Sequence, residues 1–307
     1  MPDAAAIRRV ASLFLPPIAT HVARRLRQRL TGGGALAEQA AEMPMRALAK
    51  PEWEYLPGGW SHSDPDVKGW NVESVVAMQC AKWPDFLRSV EGTGPFGVAH
   101  EGNPSERYSA SAHNTVMSFG YVLGRAGAAR GRLSVLDWGG GVGNYYVFAR
   151  ALWPDCAFEY ICKDLPLMAA AGRGLLPDCR FEDDDDRALA GRYDLVMSSS
   201  SLQYSRDWQA LVGRLCAAAT GYLYVTRLPV VETAPSFVVV QRPYTYGYGT
   251  EYLGWFINRR ELVDAVERNG FRLVREFVVD EQPTVPNAPE QCRYGGFLFK
   301  RITPGPA

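Results

Sequence analysis

The sequence of 307 residues predicts a doubly wound α/β fold, a seven-stranded sheet preceded by an α-rich region. Three observations predict it. From Leu133 onward, strand-like and helix-like patterns alternate, as they do when helices cover both faces of a parallel sheet. A glycine-rich turn, Gly139-Gly140-Gly141-Val142-Gly143, joins the first of those strands to the first helix. The last two strands, FRLVREFVV and GGFLFKR, are joined by DEQPTVPNAPEQCRY, which has no helical pattern.

The elements follow in order. LSVLDW (133–138) is the first strand, and the helix NYYVFARALW stops before Pro154. FEYICKD (158–164) is the second strand, LPLMAAAGRGL the second helix and CRFED (179–183) a short third strand. YDLVMSSSS (193–201) is the fourth strand, LQYSRDWQALVGRLCAAA contains the next helix, and GYLYVTRLPV (221–230) is the fifth strand. INRRELVDAVERNG (257–270) reads as a helix in which Asn258 and Glu261 make a capping box. Leu262 and Val266 line its buried face, and Gly270 ends it.

Residues 1–130 read as an α-rich, aromatic cap in front of a ligand-binding domain at 131–303. In the cap, VARRLRQRL (22–30) is a short basic amphipathic helix, a solvated face or a contact for an anionic partner. WNVESVVAMQCAKWPDFLRSV (70–90) contains a helix that must end or bend at Pro84. VAHEGNPSERYS (98–109) is a loop, and SAHNTVMSFGYVLGRA (111–126) is helical.

Composition narrows the function. Thirty-three basic residues balance 33 acidic ones, so no global field favours nucleic acid or membrane. The six cysteines have no CxxC pair and no metal-ligand spacing, and read as reduced, mostly buried thiols. No apolar run approaches the roughly 20 residues that span a bilayer. The apolar part of IRRVASLFLPPIA is broken by Pro16-Pro17, which argues against a signal peptide. The expected location is the cytoplasm.

The glycine turn discriminates among ligands. A diphosphate fingerprint needs GxGxxG, whereas position 144 is Asn and the spacing here is GxGxG. Asp137 places a carboxylate where a diphosphate would be repelled and a cation attracted. The run LDWGGGVGNYY resembles motif I of the class I S-adenosylmethionine (SAM)-dependent methyltransferases, in which an acidic residue ends the first strand before GxGxG. Together with SSSSLQY downstream it is similar to a small group of bacterial methyltransferases linked to surface-saccharide or specialised-metabolite pathways. The resemblance implies a Rossmann-like seven-stranded methyltransferase sheet whose last strand is antiparallel. It also implies SAM as cofactor, Gly139, Gly141 and Gly143 at the cofactor with Asp137, and a helical N-terminal cover over the methyl-transfer pocket.

Further candidates follow along the chain. Asp164, followed by Leu165, ends the second strand, where a carboxylate can accept hydrogen bonds from both ribose hydroxyls; a plain strand-to-helix cap is the other reading. In FEDDDD (181–186), Glu182 and Asp183 are candidates for the adenine edge, although four consecutive aspartates also suit a solvated loop. Ser199 and Ser200 mark the carboxyl end of the fourth strand, beside the ligand crevice of a doubly wound sheet. Gln203 and Tyr204 follow at its mouth, as catalytic candidates or as a polar loop with a buried tyrosine.

Arg227 stands near the end of the fifth strand, with Glu232 nearby. QRPYTYGYGTEYLGWF (241–256) reads as a mobile aromatic segment, an acceptor-pocket wall, a surface flap or a homodimer contact. His113 is the best-placed candidate general base and His100 the second, although in-line transfer from a sulfonium can proceed without one. The leading function is methyl transfer from SAM to a small molecule, by in-line displacement. The alternatives are a SAM-binding regulatory pseudoenzyme and a nicotinamide-dependent oxidoreductase, against which Asp137 and Asn144 argue. SSSLQY in place of an NPPY-type tetrad disfavours nucleic acid as acceptor.

Overall fold

The computed structural model describes residues 50–96, 109–127 and 131–302. The basic helix at 22–30, His21, His100 and most of the loop at 98–109 lie outside them. Ahead of the glycine turn come β1 (Trp53–Tyr55), α1 (Glu73–Glu91) and α2 (Ala110–Gly127). The predicted alternation follows: β2 (Arg132–Trp138), α3 (Asn144–Leu152), β3 (Ala157–Lys163), α4 (Pro166–Leu175), β4 (Arg180–Glu182) and α5 (Asp185–Leu189). It continues through β5 (Tyr193–Ser199), α6 (Trp208–Ala218) and β6 (Ala219–Val231). Next are β7 (Phe237–Gln241), β8 (Tyr252–Asn258), α7 (Arg259–Glu267), β9 (Phe271–Val278) and β10 (Arg293–Arg301).

Seven of the strands lie in the order β4-β3-β2-β5-β6-β10-β9. The pairs among β4, β3, β2, β5 and β6 are parallel, while β10 runs antiparallel to both β6 and β9. The predicted class and the reversed last strand are therefore both present. Alternation along the strands divides the core between the two faces. Val135, Leu195, Met197 and Tyr224 pack with Phe86, Phe119, Phe148 and Met168 from α1 to α4. Their strand neighbours Leu136, Val196, Leu223 and Val225 pack with Trp208, Leu215, Leu262 and Val266 from α6 and α7.

Three strands were not anticipated. β6 outruns β5, and beyond that point Val230 and Val231 pair with Ile257 and Asn258 of β8. β8 pairs antiparallel with β7, and β7 with β1. The segment expected to be a mobile aromatic loop is thus largely strand and turn, because Tyr252, Leu253, Phe256 and Ile257 are buried. Burial decides strand formation more than intrinsic preference does.

The N-terminal region also departs from a purely helical cap. β1 is an edge strand, and the described residues from 51 onward pack as one compact unit in which α1 and α2 share the sheet's core. α1 does not end at Pro84. The proline deprives the Cys80 carbonyl of its partner at a cost of about 3 kcal/mol. Val75, Gln79, Trp83, Phe86 and Val90 nevertheless form one buried stripe through it. Each large apolar side chain contributes roughly 1.5–3 kcal/mol, which outweighs the loss.

The capping box of α7 is relayed. Asn258 accepts from the N–H groups of Arg260 and Glu261. Glu261 does not return to Asn258 but accepts from Ser236, whose Oγ takes the Asn258 N–H.

Candidate active site

The site forms at the carboxyl ends of β2, β3, β5 and β6. After Trp138 the chain turns so tightly that the N–H groups of Gly139 and Gly140 both donate to the Lys163 carbonyl, at 2.8 and 3.2 Å. Most of the glycines serve the protein's own packing. A Cβ on Gly139 would lie 2.2 Å from Ser201, one on Gly140 2.5 Å from the Asp137 carboxylate, and one on Gly143 2.7 Å from Leu176. Gly141 is different: its φ is +63°, and a Cβ there would meet only Asn144 Oδ1, at 3.9 Å. At Gly141 the turn offers bare backbone to open space, as the close approach of a ligand requires.

Asp137 lies beneath this turn, wholly buried, and its Oδ2 accepts from Tyr160 Oη at 2.9 Å. Its Oδ1 has no partner. Burial, with a smaller contribution from the Asp164 charge, raises its pKa to about 7, against the pull of the Tyr160 hydrogen bond. Asp137 is therefore a buried carboxyl packed under the turn, close to Gly140, with one oxygen unpartnered.

Asp164 does two things at once. Its Oδ2 accepts the Gly141 N–H and its Oδ1 accepts the Leu165 N–H, each at 2.7 Å. Burial pushes its pKa up, opposed by these two backbone donors and by Lys163. Two carboxylate oxygens carry about four acceptor positions, so lone pairs remain for two hydroxyls. Leu165, which follows, is exposed.

The acidic run is tied down by ion pairs and a helix cap. Glu182 accepts from Arg187 at 2.7 Å, and Asp183 pairs with Arg173 and Arg187 at 3.0 Å. Asp184 caps α5 by accepting from the Arg187 N–H. Asp185 takes Lys163 Nζ at 2.6 Å and Trp138 Nε1 at 2.7 Å, and Asp186 pairs with Arg214. Burial tends to raise the Asp185 pKa, but Lys163 and Trp138 outweigh it and hold the group low. Lys163, almost fully buried over the Trp138 ring, was not singled out by sequence reasoning.

The four serines are divided among separate tasks. Ser198 and Ser201 bond each other at 2.7 Å, and Ser201 donates to the Trp138 carbonyl. Ser199 Oγ lies 2.9 Å from Tyr145 Oη, and burial pushes the Tyr145 phenol up to about 12. Ser200 has a φ of 51° and receives the Gln203 amide. Gln203 is almost wholly buried, and its Oε1 has no hydrogen-bond partner. Tyr204 donates to Gln241 of β7 and packs edge-on against Trp70 and Tyr252.

Arg227 occupies a β-bulge, where the β6–β10 register shifts between Gly295 and Phe297. It is buried, with a φ of 49°, and donates to Glu281 Oε2 at 3.4 Å. The other Glu281 oxygen accepts from Ser111 of α2 at 2.5 Å. Glu281 and Ser111 had no signal in the sequence, since neither stands in a motif. His113 bonds the Phe96 carbonyl at 3.1 Å. It lies about 200° around α2 from Ser111, so the two face different surroundings. The structure thus gathers the glycine turn, Asp164, Ser199, Ser200 and Gln203 at these strand ends. It gives Glu182, Asp183 and His113 other partners.

The methyltransferase-domain family matches residues 118–276, a little over half of the chain. The chain is 32% identical over 81 residues to the trans-aconitate 2-methyltransferase of Deinococcus radiodurans. That match covers 26% of this chain and 31% of the relative, so it spans less than a third of the relative's length. Among solved structures, magnesium protoporphyrin IX methyltransferase from Synechocystis PCC 6803 with bound S-adenosylhomocysteine (SAH) aligns at 17% identity. It covers 74% of this chain and 98% of that one, with a TM-score of 0.44. The 1,6-didemethyltoxoflavin N1-methyltransferase of Burkholderia thailandensis aligns at 16% identity, covering 62% and 80%, with a TM-score of 0.39. By the match across residues 118–276, the chain belongs to the methyltransferase-domain family.

Proposed function

We propose that this protein transfers the methyl group of SAM to a small-molecule acceptor. The observation that carries this reading is the Asp164–Gly141 contact, a carboxylate bonded at 2.7 Å to the one turn residue whose Cβ position is open. A nucleoside laid against Gly141 brings its ribose hydroxyls to the remaining lone pairs of Asp164. Gln203 Oε1, buried and unpartnered, accepts a hydrogen bond from a donor group placed beside Ser200.

When bound, SAM supplies a methyl group already activated by its positive sulfur. Transfer of that methyl group to the acceptor would leave SAH as the second product. The chain's task is to hold donor and acceptor in line and keep water out, and such positioning alone can supply roughly 7–11 kcal/mol of the barrier. Tyr204, Trp70 and Tyr252 form a packed aromatic wall beside Gln203 that limits the acceptor's side. The Deinococcus relative, named for trans-aconitate, supports a small organic molecule as acceptor.

Thermal shifts with SAM, SAH and NAD test the reading. At a hundredfold excess over Kd, a ligand adds about 2.7 kcal/mol of stability. Stabilisation by SAM and SAH is expected; a response to NAD alone would overturn the proposal.

A further inference from the structure

The N-terminus of α4 is capped by a distant part of the chain. Leu165, at its N-cap position, makes no side-chain hydrogen bond, and Pro166 has no N–H. The next donor, the Leu167 N–H, is one of those a helix start leaves without an internal partner. It goes to Oδ1 of Asn71, 96 positions earlier in the chain, at 3.2 Å. Asp164, read as the ribose contact, stands three residues before Leu167. Between them there is little slack, because the Leu165 N–H is bonded to Asp164 itself and proline fixes the backbone at 166. The Asp164 carboxylate and the N–H held by Asn71 are therefore stiffly linked.

On its other side Asn71 is joined to the aromatic wall. Trp70, the residue before it, stacks on Tyr252 with ring centroids 4.2 Å apart and meets Tyr204 edge-on at 5.1 Å. The Gly69 N–H donates to the Glu251 carbonyl at 3.1 Å, and the Gly69 carbonyl accepts from Thr250 Oγ1 at 2.9 Å. Two bonds from α1 run the same way. Ser74 Oγ accepts the Gly249 N–H at 3.1 Å, and Gln79 Nε2 donates to Tyr248 Oη at 2.9 Å. Residues 69–79 are thus a strap, laced to 248–252 along its length and tied by Asn71 to the start of α4.

From this geometry we infer that Asn71 is a positioning residue that couples cofactor binding at Asp164 to the order of the acceptor wall. A ribose that fixes Asp164 fixes the start of α4, and through Asn71 it holds Trp70 against Tyr252 and Tyr204. The inference rests on the methyl-transfer reading, which puts the cofactor at Asp164, and adds how that site is tied to the acceptor side. Coupling of this kind is reciprocal, so loosening the wall weakens cofactor binding by the same factor. Asn71 is exposed, so replacing it takes no core packing away.

Hydrogen exchange with and without saturating SAH tests the coupling in wild type, Asn71→Ala and Asn71→Asp. In wild type, SAH should slow exchange in the cofactor segments 139–145 and 160–165, and also in the strap and wall, 66–79 and 246–253. Asn71→Ala should keep the first effect and lose the second. Asn71→Asp retains an acceptor oxygen for the Leu167 N–H and should keep both. Calorimetry supplies a second measurement. Trp70→Leu should weaken SAH binding about three- to tenfold in wild type but less than about twofold in Asn71→Ala, where the link is already cut. If Trp70→Leu fails to fold, the exchange comparison decides alone. The inference is overturned if SAH leaves 66–79 and 246–253 unchanged in wild type, or if Asn71→Ala protects them as wild type does. It is equally overturned if Trp70→Leu weakens SAH by the same factor in both backgrounds. Failure of the wild type to bind SAH would instead overturn the methyl-transfer reading.

Discussion

The carboxylate of Asp164 accepts the backbone N–H of Gly141 at 2.7 Å, so the end of β3 holds the glycine turn that follows β2. The residue read as a ribose contact is thereby also the brace of the loop, and the two roles make distinct demands. Asp164→Asn keeps the size but removes the charge and half of the acceptor capacity. It should weaken SAM binding about tenfold or more by calorimetry while lowering Tm by only a few degrees. Unchanged affinity would leave the brace as its sole role.

The glycines of the turn should separate into two classes. Gly139→Ala puts a Cβ 2.2 Å from Ser201 and should lower Tm sharply, because both partners are fixed by backbone. Gly141→Ala meets no protein atom closer than 3.9 Å and carries mainly the strain of its positive φ, about 1 kcal/mol. It should stay folded and lose cofactor affinity. Calorimetry and thermal melts on the same two variants measure both effects.

Asp137 makes stability depend on pH. Burial holds its folded pKa near 7, above the ordinary value of 3.8, so between those values the folded state binds more protons than the unfolded state. Stability is therefore lost as pH rises from about 4 to about 7, by up to about 4 kcal/mol for a shift of this size. Asp137→Asn, which resembles the protonated acid, should match wild type below pH 4 and melt progressively higher as pH approaches 7. A constant difference in Tm across that range would show that the carboxyl keeps its charge throughout. SAM should narrow the gap in wild type, since its cationic groups favour the ionised carboxylate.

β1, β7 and the start of β8 are fastened by Arg242, which bonds Glu251 at 3.0 Å, Glu54 at 2.7 Å and the Pro51 carbonyl at 3.1 Å. The Arg242 and Glu251 side chains are 4% and 1% exposed, and Glu251 also accepts from Tyr244. Removing one partner of such a pair leaves a buried charge and costs about 3–5 kcal/mol. Arg242→Met should lower Tm on the order of 10 °C. It should also loosen the aromatic wall around Tyr252, visible as reduced hydrogen-exchange protection in β1 and β7.

His113 is the natural first target for a search for a general base. A base that removes a proton in the transition state contributes roughly 10²–10⁴-fold. With its Nδ1 bonded to the Phe96 carbonyl, His113→Gln should retain turnover within about tenfold once an acceptor is in hand. A loss of a hundredfold or more, with an altered pH profile, would return it to the chemistry.

The glycine turn, Asp137, Asp164 and the strand alternation were legible in the sequence, because each is set by chain neighbours. A turn residue needs a particular φ, a strand side chain alternates with the next, and a βα unit brings the strand end to the helix start. The same locality limits what could be read. FEDDDD looks like a charged loop because its partners, Arg173, Lys163 and Arg214, come from three other elements. The signal of Pro84, to end or bend the helix, is local, whereas the buried stripe that carries the helix past it depends on α3 and the sheet.

By itself, then, the sequence determined an α/β methyltransferase-type sheet with its glycine turn, and the order in which the strand ends present Asp137, Asp164 and Ser199. Only the tertiary structure decided what stands opposite them. Ser111, Arg227 and Glu281 are 170 and 54 positions apart in their contacts, and no periodic pattern records such distances. β1, β7 and β8 became strands because β6 outruns β5 and leaves an edge to be paired, a condition visible only once the sheet has been assembled.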